Sequence, residues 1–150
     1  MSKTPTRMRE DVFRQKAQSY LVCQSATCPL REKCLRSIAS GYVDEQRVSV
    51  TSINLNNPQV QTDSCPHFRD SQPVRLPVGF CGLFLNMPGR MEVAIKGSLI
   101  HTYSRKRFYE YRKGALPVTP DVEQTIRETF RRYGWHEEPQ WDGYADDYLW

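Results

Sequence analysis

The chain has 150 residues and carries 21 Lys and Arg against 17 Asp and Glu, a net charge of +4, within an ordinary globular composition. This length can bury a core without disulfides and suits one compact domain or two lobes. The N-terminus is basic and polar with no apolar stretch behind it, and no segment approaches the roughly 20 apolar residues of a membrane span. These features exclude a secreted or membrane protein, so we expect a cytoplasmic one.

The first informative feature along the chain is a set of four cysteines. A helix is predicted over residues 11–22, because apolar residues recur there at helical spacing. It leads into Cys23, which is followed by Cys28, Cys34 and, after a long loop, Cys65. Thiolates are the soft ligands that hold zinc and iron–sulfur clusters, and cytoplasmic thiols stay reduced. The sequence therefore predicts one metal site formed by these four residues, although their spacing matches no diagnostic signature.

The identity of the metal stays open at this level. Structural zinc is the commonest cytosolic thiolate site and ranks first. An iron–sulfur cluster ranks second, because Cys28 and Cys65 are each followed by proline, as cluster ligands often are. A reduced core without metal ranks third. His67 is an alternative ligand to one thiolate, and the fifth cysteine, Cys81, lies in an apolar stretch and is expected to be buried.

The segments between the cysteines are predicted as a helix and a strand. A helix from Pro29 to a stop at Gly41 would place Cys28 at its cap, where the helix dipole stabilises a thiolate. A half-buried strand with a bulge is predicted over residues 47–55, because apolar residues alternate there. This strand would return the chain to Cys65.

The second half of the chain is predicted to be helical. Residues 73–89 combine strand-like alternation with prolines and are taken as a connector between lobes, with any strand confined to a sheet edge. Helices are then predicted over residues 91–102, over residues 104–113 with a serine N-cap, and over residues 119–133 with a threonine cap. The apolar stripe of the last helix consists of Val122, Ile126, Phe130 and Tyr133.

Two short helices, a tight turn and a third helix are typical of a helix-turn-helix domain. Placing Tyr103 at the buried turn position makes Phe108 and Tyr111 the inward pair of the second helix. The outward face then consists of Ser104, Arg105, Lys106, Tyr109, Arg112 and Lys113. These residue types contact phosphates and base edges, so nucleic acid is the expected partner. The stretch from Phe108 to Pro120 also resembles the exit of the recognition helix in phage-repressor-like domains.

Charge is distributed unevenly over this half. Residues 90–113 contain seven Lys or Arg and two Glu, whereas residues 135–150 contain five Asp or Glu and no Lys or Arg. A basic segment beside an acidic tail indicates a polyanion-binding surface and a competitor that covers it. The alternative is two solvated faces that pair with each other. The tail is rich in Trp and Tyr, most of which should dock on the body, and it is the surface expected for a protein partner.

Three stretches carry a wider resemblance: Cys23 to Arg36 with its three cysteines, Cys65-Pro66-His67-Phe68-Arg69, and Phe108 to Gly114. On these stretches and the tryptophan-ended acidic tail, the chain is similar over nearly its full length to a family of small, uncharacterised bacterial proteins of unknown function. The resemblance implies no activity.

No catalytic constellation is recognised, because the histidines lie in separate segments and no phosphate-binding glycine loop exists. We therefore expect a non-enzymatic protein that is mainly α with a small β element (α+β). A cysteine-stapled lobe is predicted over residues 1–72 and a helix-turn-helix-like lobe over residues 73–150, sharing one core. The predicted function is metal-stapled, regulatory nucleic-acid binding. The alternatives are a metal-stapled protein–protein adaptor and an iron–sulfur redox sensor.

Overall fold

The computed structural model describes residues 5–150, with side chains described from Glu10 onward. Over these residues the chain forms five α-helices, one 3-10 helix and one two-stranded antiparallel sheet, which confirms the predicted α+β class. In chain order the elements are α1 (Pro5–Ala17), α2 (Leu35–Ser40), β1 (Val74–Val78), the 3-10 helix (Cys81–Phe84), α3 (Gly89–Tyr103), α4 (Arg105–Arg112), α5 (Pro120–Arg132) and β2 (Gly143–Asp147).

The chain divides into two compact units. The first unit consists of the residues up to Gln72 together with Tyr148–Trp150, and the second consists of Pro73–Asp147. The chain thus leaves the first unit once and returns to it for its last three residues. None of the helices described is long and apolar enough to cross a membrane.

The first unit buries α1 against α2 around an aromatic cluster. Its buried residues are Phe13, Ala17, Val22, Leu35 and Ala39. The rings of Tyr148 and Trp150 lie 5.2 and 5.1 Å from the ring of Phe13, in tilted and edge-to-face arrangements. Aromatic pairs at such distances stabilise a fold beyond the area they bury. The C-terminal aromatic residues therefore belong to the core of the first unit, which confirms that the tail docks.

The second unit is built around α3, α4 and α5. Its fully buried side chains include Phe80, Ile95, Leu99, Phe108, Val118 and Ile126. The ring of Phe80 lies 5.7 Å from that of Phe108 and 6.3 Å from that of Trp141. Phe80 directly precedes the 3-10 helix. Its buried aromatic ring therefore fixes this short helix to the core.

A small sheet completes the second unit. Strand β1 pairs with β2 in antiparallel register, from Val74 opposite Asp147 to Val78 opposite Gly143. Pro77 is tolerated because both strands of a two-stranded sheet are edge strands, as the proline pattern predicted. Its carbonyl accepts a hydrogen bond from the N–H of Val118 at 2.7 Å. Strand β2 was not predicted, since its sequence of glycine, alanine and aspartates has little strand preference.

The helix predicted from Pro29 is wrong in its first half. Residues 29–33 form turns, and α2 begins only after Cys34, whose backbone is extended with φ −103° and ψ 121°. The N–H of Leu35 donates to the carbonyl of Arg69 at 2.7 Å, and Cys34 and Asp70 form an isolated bridge. This long-range pairing takes the place of a continuous helix. Cys28 therefore does not lie at a helix N-terminus.

The strand predicted over residues 47–55 is also wrong. Val48 is fully exposed and Val50 is exposed, whereas Ile53 is buried. What forms is a single parallel bridge between Ser52 and Val22. The residues whose apolar alternation predicted a strand form a loop instead, and Val48 and Val50 face solvent there. Helix α1 likewise ends at Ala17, before the predicted limit at residue 22.

The three helices predicted in the second half are confirmed. Ser104 caps α4, and its Oγ accepts the N–H of Arg107 at 3.4 Å. Thr119 precedes Pro120 at the start of α5, but its side chain makes no capping hydrogen bond. Tyr133 is exposed rather than part of the apolar stripe of α5.

Alanine substitutions at two glycines are predicted to change the free energy of unfolding in opposite directions. Gly79 has φ 71°, and a Cβ there would lie 2.6 Å from Oδ2 of Asp142. Gly79→Ala should therefore lower the free energy of unfolding by about 2 kcal/mol. Gly97 lies within α3 with nothing within 4 Å of an added Cβ, so Gly97→Ala should raise it by about 1 kcal/mol. Chemical denaturation of the two variants measures both values, and a stabilising Gly79→Ala would contradict this account of the turn.

Candidate functional site

The four cysteines of the predicted metal site line one cavity in the first unit. Cys23, Cys28, Cys34 and Cys65 all contribute to its wall. The cavity has a volume of about 20 Å³. A single water-sized sphere needs about 10–15 Å³ on the same measure, so the space suits one small ion. The fold thus brings together residues that lie far apart in the sequence.

Backbone hydrogen bonds fix the positions of two of the four cysteines. The N–H of Cys23 donates to the carbonyl of Arg36 at 3.0 Å, and the preceding Val22 bridges to Ser52. On the other side, Cys34 bridges to Asp70. The segments that carry Cys23 and Cys34 therefore lie side by side, although the loop that contains Cys28 lies between them in the chain.

A buried serine fixes the segment of Cys28. The Oγ of Ser25 accepts the N–H of Cys28 at 3.0 Å and donates to Oε1 of Gln61 at 2.6 Å. Ser25 is buried, and Gln61 lies four residues before Cys65. The hydroxyl thus connects the loop of Cys28 to the loop that leads to Cys65.

The cysteines differ in exposure. Cys23 and Cys34 are buried, whereas Cys28 and Cys65 are half-buried. Burial raises the pKa of the Cys23 thiol, a hydrogen bond from the Ser25 backbone lowers it, and the three other cysteines raise it again. A thiolate at Cys23 would therefore be repelled by negative charge on the three other cysteines. A cation bound among them would remove this repulsion.

A buried arginine lies in the wall of the same cavity. Arg36 is 9% exposed. Its Nε donates to the carbonyl of His67 at 2.9 Å, and its Nη1 donates to the carbonyl of Leu21 at 2.8 Å. Its guanidinium also lies 4.8 Å above the ring of Tyr20, a cation–π contact. Among the residues described, no carboxylate forms an ion pair with it.

The hydroxyl of Tyr20 is a second unusual group near the cysteines. It is buried and has no hydrogen-bond partner within the described part of the chain. Burial raises the pKa of the Tyr20 hydroxyl, the charges of Arg36 and Arg69 lower it, and the Cys34 thiol raises it. Buried hydroxyls without a partner are rare in native proteins.

The donor set fits a thiolate-bound metal ion. Four thiols line one small cavity, with the buried guanidinium of Arg36 in its wall. Within residues 10–150, however, no three His, Cys, Asp or Glu side chains stand where they could hold an ion without moving. Binding would therefore require the cysteine side chains or their loops to move closer together. His67 also lines the cavity, but it is exposed and contributes its backbone carbonyl to Arg36.

The prediction that Cys81 is buried is wrong. Cys81 is exposed at the start of the 3-10 helix. Its sulfur lies 3.2 Å from the carbonyl of Arg112, and its N–H donates to Oδ2 of Asp142 at 2.9 Å. The apolar stretch around it buries Phe80, Leu83 and Phe84 instead, because the tight turn directs those side chains inward.

The predicted nucleic-acid-binding residues lie on and around α4. Phe108 and Tyr111 are buried, which confirms them as the inward pair. Ser104, Arg105, Lys106 and Lys113 are exposed, while Tyr109 and Arg112 are half-buried. Arg107, which the sequence reasoning left out, is exposed on the same helix. The helix therefore presents several cations to solvent.

The connection between α3 and α4 lies one residue later than predicted. Helix α3 continues through Tyr103, and Ser104 alone joins the two helices, with φ 71° and ψ 156°. The ring of Tyr103 packs 5.5 Å from that of Tyr111. The helix-turn-helix likeness remains a prediction.

The acidic groups of the tail lie elsewhere. Glu138 pairs with Arg127 of α5, and Asp142 accepts the backbone N–H of Cys81. Lys106 of α4 pairs within its own helix, with Glu110 at 3.9 Å. The covering of the basic face by the tail stays a prediction.

Sequence reasoning did not assign roles to Arg36, Tyr20 and Ser25. The only available signal was position, because Arg36 follows Cys34 by two residues and Ser25 follows Cys23 by two. The roles of Arg36 and Ser25 depend on hydrogen bonds to residues more than ten positions away, and Tyr20 contacts Arg36 through its ring. Periodicity and spacing carry no information on such contacts.

The fold and the cavity define a small α+β protein of two units with a four-cysteine site in the first. The chain belongs to a family of unknown function (DUF6078), whose sequence profile matches residues 7–150. No curated protein matches the chain. No solved structure matches it either.

Ser25 is predicted to stabilise the cysteine loops. Ser25→Ala removes the acceptor of the Cys28 N–H and leaves Gln61 without its buried donor, so the free energy of unfolding should fall by about 1–3 kcal/mol. The control is Thr27→Ala, which removes an exposed hydroxyl that also donates to Gln61 and should cost about 0.5 kcal/mol or less. Denaturation of the reduced, metal-free proteins compares the two. Equal effects would contradict this role of Ser25.

Proposed function

We propose that this chain is a zinc-stapled nucleic-acid-binding protein. The observation that carries the proposal is the convergence of Cys23, Cys28, Cys34 and Cys65 on one small cavity. In this proposal the four thiolates hold one zinc ion in the first unit. The cations of α4 in the second unit contact the phosphate backbone of a nucleic acid.

Ligand chemistry favours a single ion over a cluster. Zinc accepts four thiolates in tetrahedral geometry at about 2.3 Å from each sulfur and needs no other atoms. An iron–sulfur cluster brings several irons and sulfides of its own, which four cysteine loops would have to enclose. Zinc therefore remains ahead of the iron–sulfur alternative.

The first unit also has a physical need for a cross-link. Between α2 and β1, residues 41–73 form no helix and no paired strand, only isolated bridges at Ser52 and Asp70. Among them, Ile53 and Val60 are the buried hydrophobic residues. Long irregular segments are uncommon in compact domains unless something else fixes them. Bound zinc would supply free energy that holds such loops in place.

The nucleic-acid part of the proposal is supported by the surface of α4. Arg105, Lys106 and Arg107 are exposed in succession at its N-terminal end, and Lys113 is exposed at its other end. The buried pair Phe108 and Tyr111 anchors the helix to the core. Fixed cations on a rigid helix are suited to phosphate contacts, which dominate affinity for nucleic acids.

The metal content tests the first part. Protein purified without oxygen should contain about one zinc per chain by elemental analysis, without visible absorbance. Cys65→Ser should lower the zinc content or affinity, whereas Cys81→Ser should leave both unchanged because Cys81 lies outside the cavity. Iron with a broad band near about 400 nm would indicate the cluster instead. Protein without metal that also binds no added zinc would refute the site.

Salt dependence tests the second part. Affinity for a DNA duplex, measured by fluorescence anisotropy, should fall steeply with salt, and Arg105→Ala or Lys106→Ala should each lower the slope of log K against log salt by about one. Arg132→Ala, which removes an exposed arginine from α5, is the control and should leave the slope unchanged. Absence of binding to DNA and RNA at low salt would refute this part and leave the protein-adaptor alternative.

A further inference from the structure

Arg36 poses an electrostatic problem in the first unit. It is a charged side chain with 9% exposure, and its two hydrogen bonds go to neutral carbonyl oxygens. Within the described residues it has no ion pair with a carboxylate. Carbonyl dipoles and the Tyr20 ring offset only part of the cost of removing a cation from water. A buried cation of this kind indicates a negative partner close by.

The cavity beside Arg36 can supply that negative charge. Four cysteines and Arg36 line the same space. A divalent ion with four thiolates has a net charge of about −2, and with three thiolates and one neutral histidine about −1. Neutral thiols would supply none. A metal complex bound among these cysteines would supply the counter-charge that the guanidinium lacks in the described structure.

We propose that Arg36 is the charge-balancing and positioning residue of the metal centre, and that it favours the dianionic complex of four thiolates over a complex in which His67 replaces one of them. This inference rests on the proposed zinc site. It gives Arg36 a role in zinc affinity and in the choice of zinc ligands, in addition to the role of its hydrogen bonds.

The position of Arg36 in the chain supports the positioning role. Its guanidinium reaches the carbonyl of Leu21, two residues before Cys23, and that of His67, two residues after Cys65. Arg36 itself follows Cys34 by two residues. One side chain thus connects the segments of three of the four cysteines.

The unpaired hydroxyl of Tyr20 fits the same arrangement. The Tyr20 ring lies under the guanidinium, and its hydroxyl is buried without a partner in the described residues. The guanidinium thus lines the cysteine cavity and also covers a ring that carries an unpaired donor. A core of neutral thiols would need no cation.

Arg31 provides a matched control for Arg36. Its side chain lines the same cavity and donates through Nη1 to the carbonyl of Ala26 at 2.9 Å, but it is exposed. Water screens its charge, so its loss should change metal affinity far less.

The experiment measures zinc dissociation constants by competition with a chromophoric chelator, using the full-length protein. We expect Arg36→Gln to raise the constant by about 10- to 100-fold, the range typical of groups that support metal ligands. Arg36→Lys keeps the charge and should lie closer to the wild type. Arg31→Gln should lie within about threefold. The denaturation midpoint should fall for Arg36→Gln in both forms, because its hydrogen bonds to two carbonyls are lost, and it should fall further in the zinc-bound protein.

The outcomes separate this inference from the proposed zinc site. A wild-type chain that binds no zinc refutes the site itself. If the wild type binds zinc and Arg36→Gln binds it equally well, the role of Arg36 is refuted while the site stands. An equal loss of stability with and without zinc would make Arg36 a purely structural residue and also overturn the inference. Should Arg36→Gln fail to fold, Arg36→Lys decides, because a loss of about 100-fold despite the retained charge would contradict charge balance.

Discussion

The first unit depends on the buried guanidinium of Arg36. Its hydrogen bonds to the carbonyls of Leu21 and His67 connect segments that are 15 and 31 residues away in the chain. The irregular loops between α2 and β1 have little apolar burial of their own, so polar contacts of this kind carry much of their order. A buried charge is a costly way to hold loops together unless an opposite charge is near. The four-cysteine cavity beside it is where that charge can form.

The second unit is stabilised by a different kind of interaction. Its order comes from hydrophobic packing of α3, α4 and α5 around Phe80 and Phe108. The packing leaves the outer face of α4 to solvent, and the cations there have no tail carboxylate paired with them in the described residues. Burial of one face and exposure of charge on the other is the usual property of an amphipathic helix. In the proposed function, that exposed face is the one that contacts phosphates.

Sequence reasoning succeeded where structure is local. The starts and ends of α4 and α5 follow from Ser104, Pro120 and the glycines after them, because caps and helix breakers act within one turn. It failed over residues 29–34 and 47–55, where the first half of a predicted helix and a predicted strand are replaced by turns and isolated bridges. There the backbone hydrogen bonds go to distant residues, which override weak local preference.

The sequence by itself determined the α+β class, the helical second half, its inward pair Phe108 and Tyr111, and the four cysteines as residues capable of one chemistry. These depend on residue type and short-range periodicity. Only the tertiary structure decided that the four cysteines line one cavity, that Arg36 is buried beside them, and that Cys81 lies apart and exposed. Such juxtapositions depend on how loops fold back over tens of residues, and neither spacing nor propensity encodes the path that a loop takes through space.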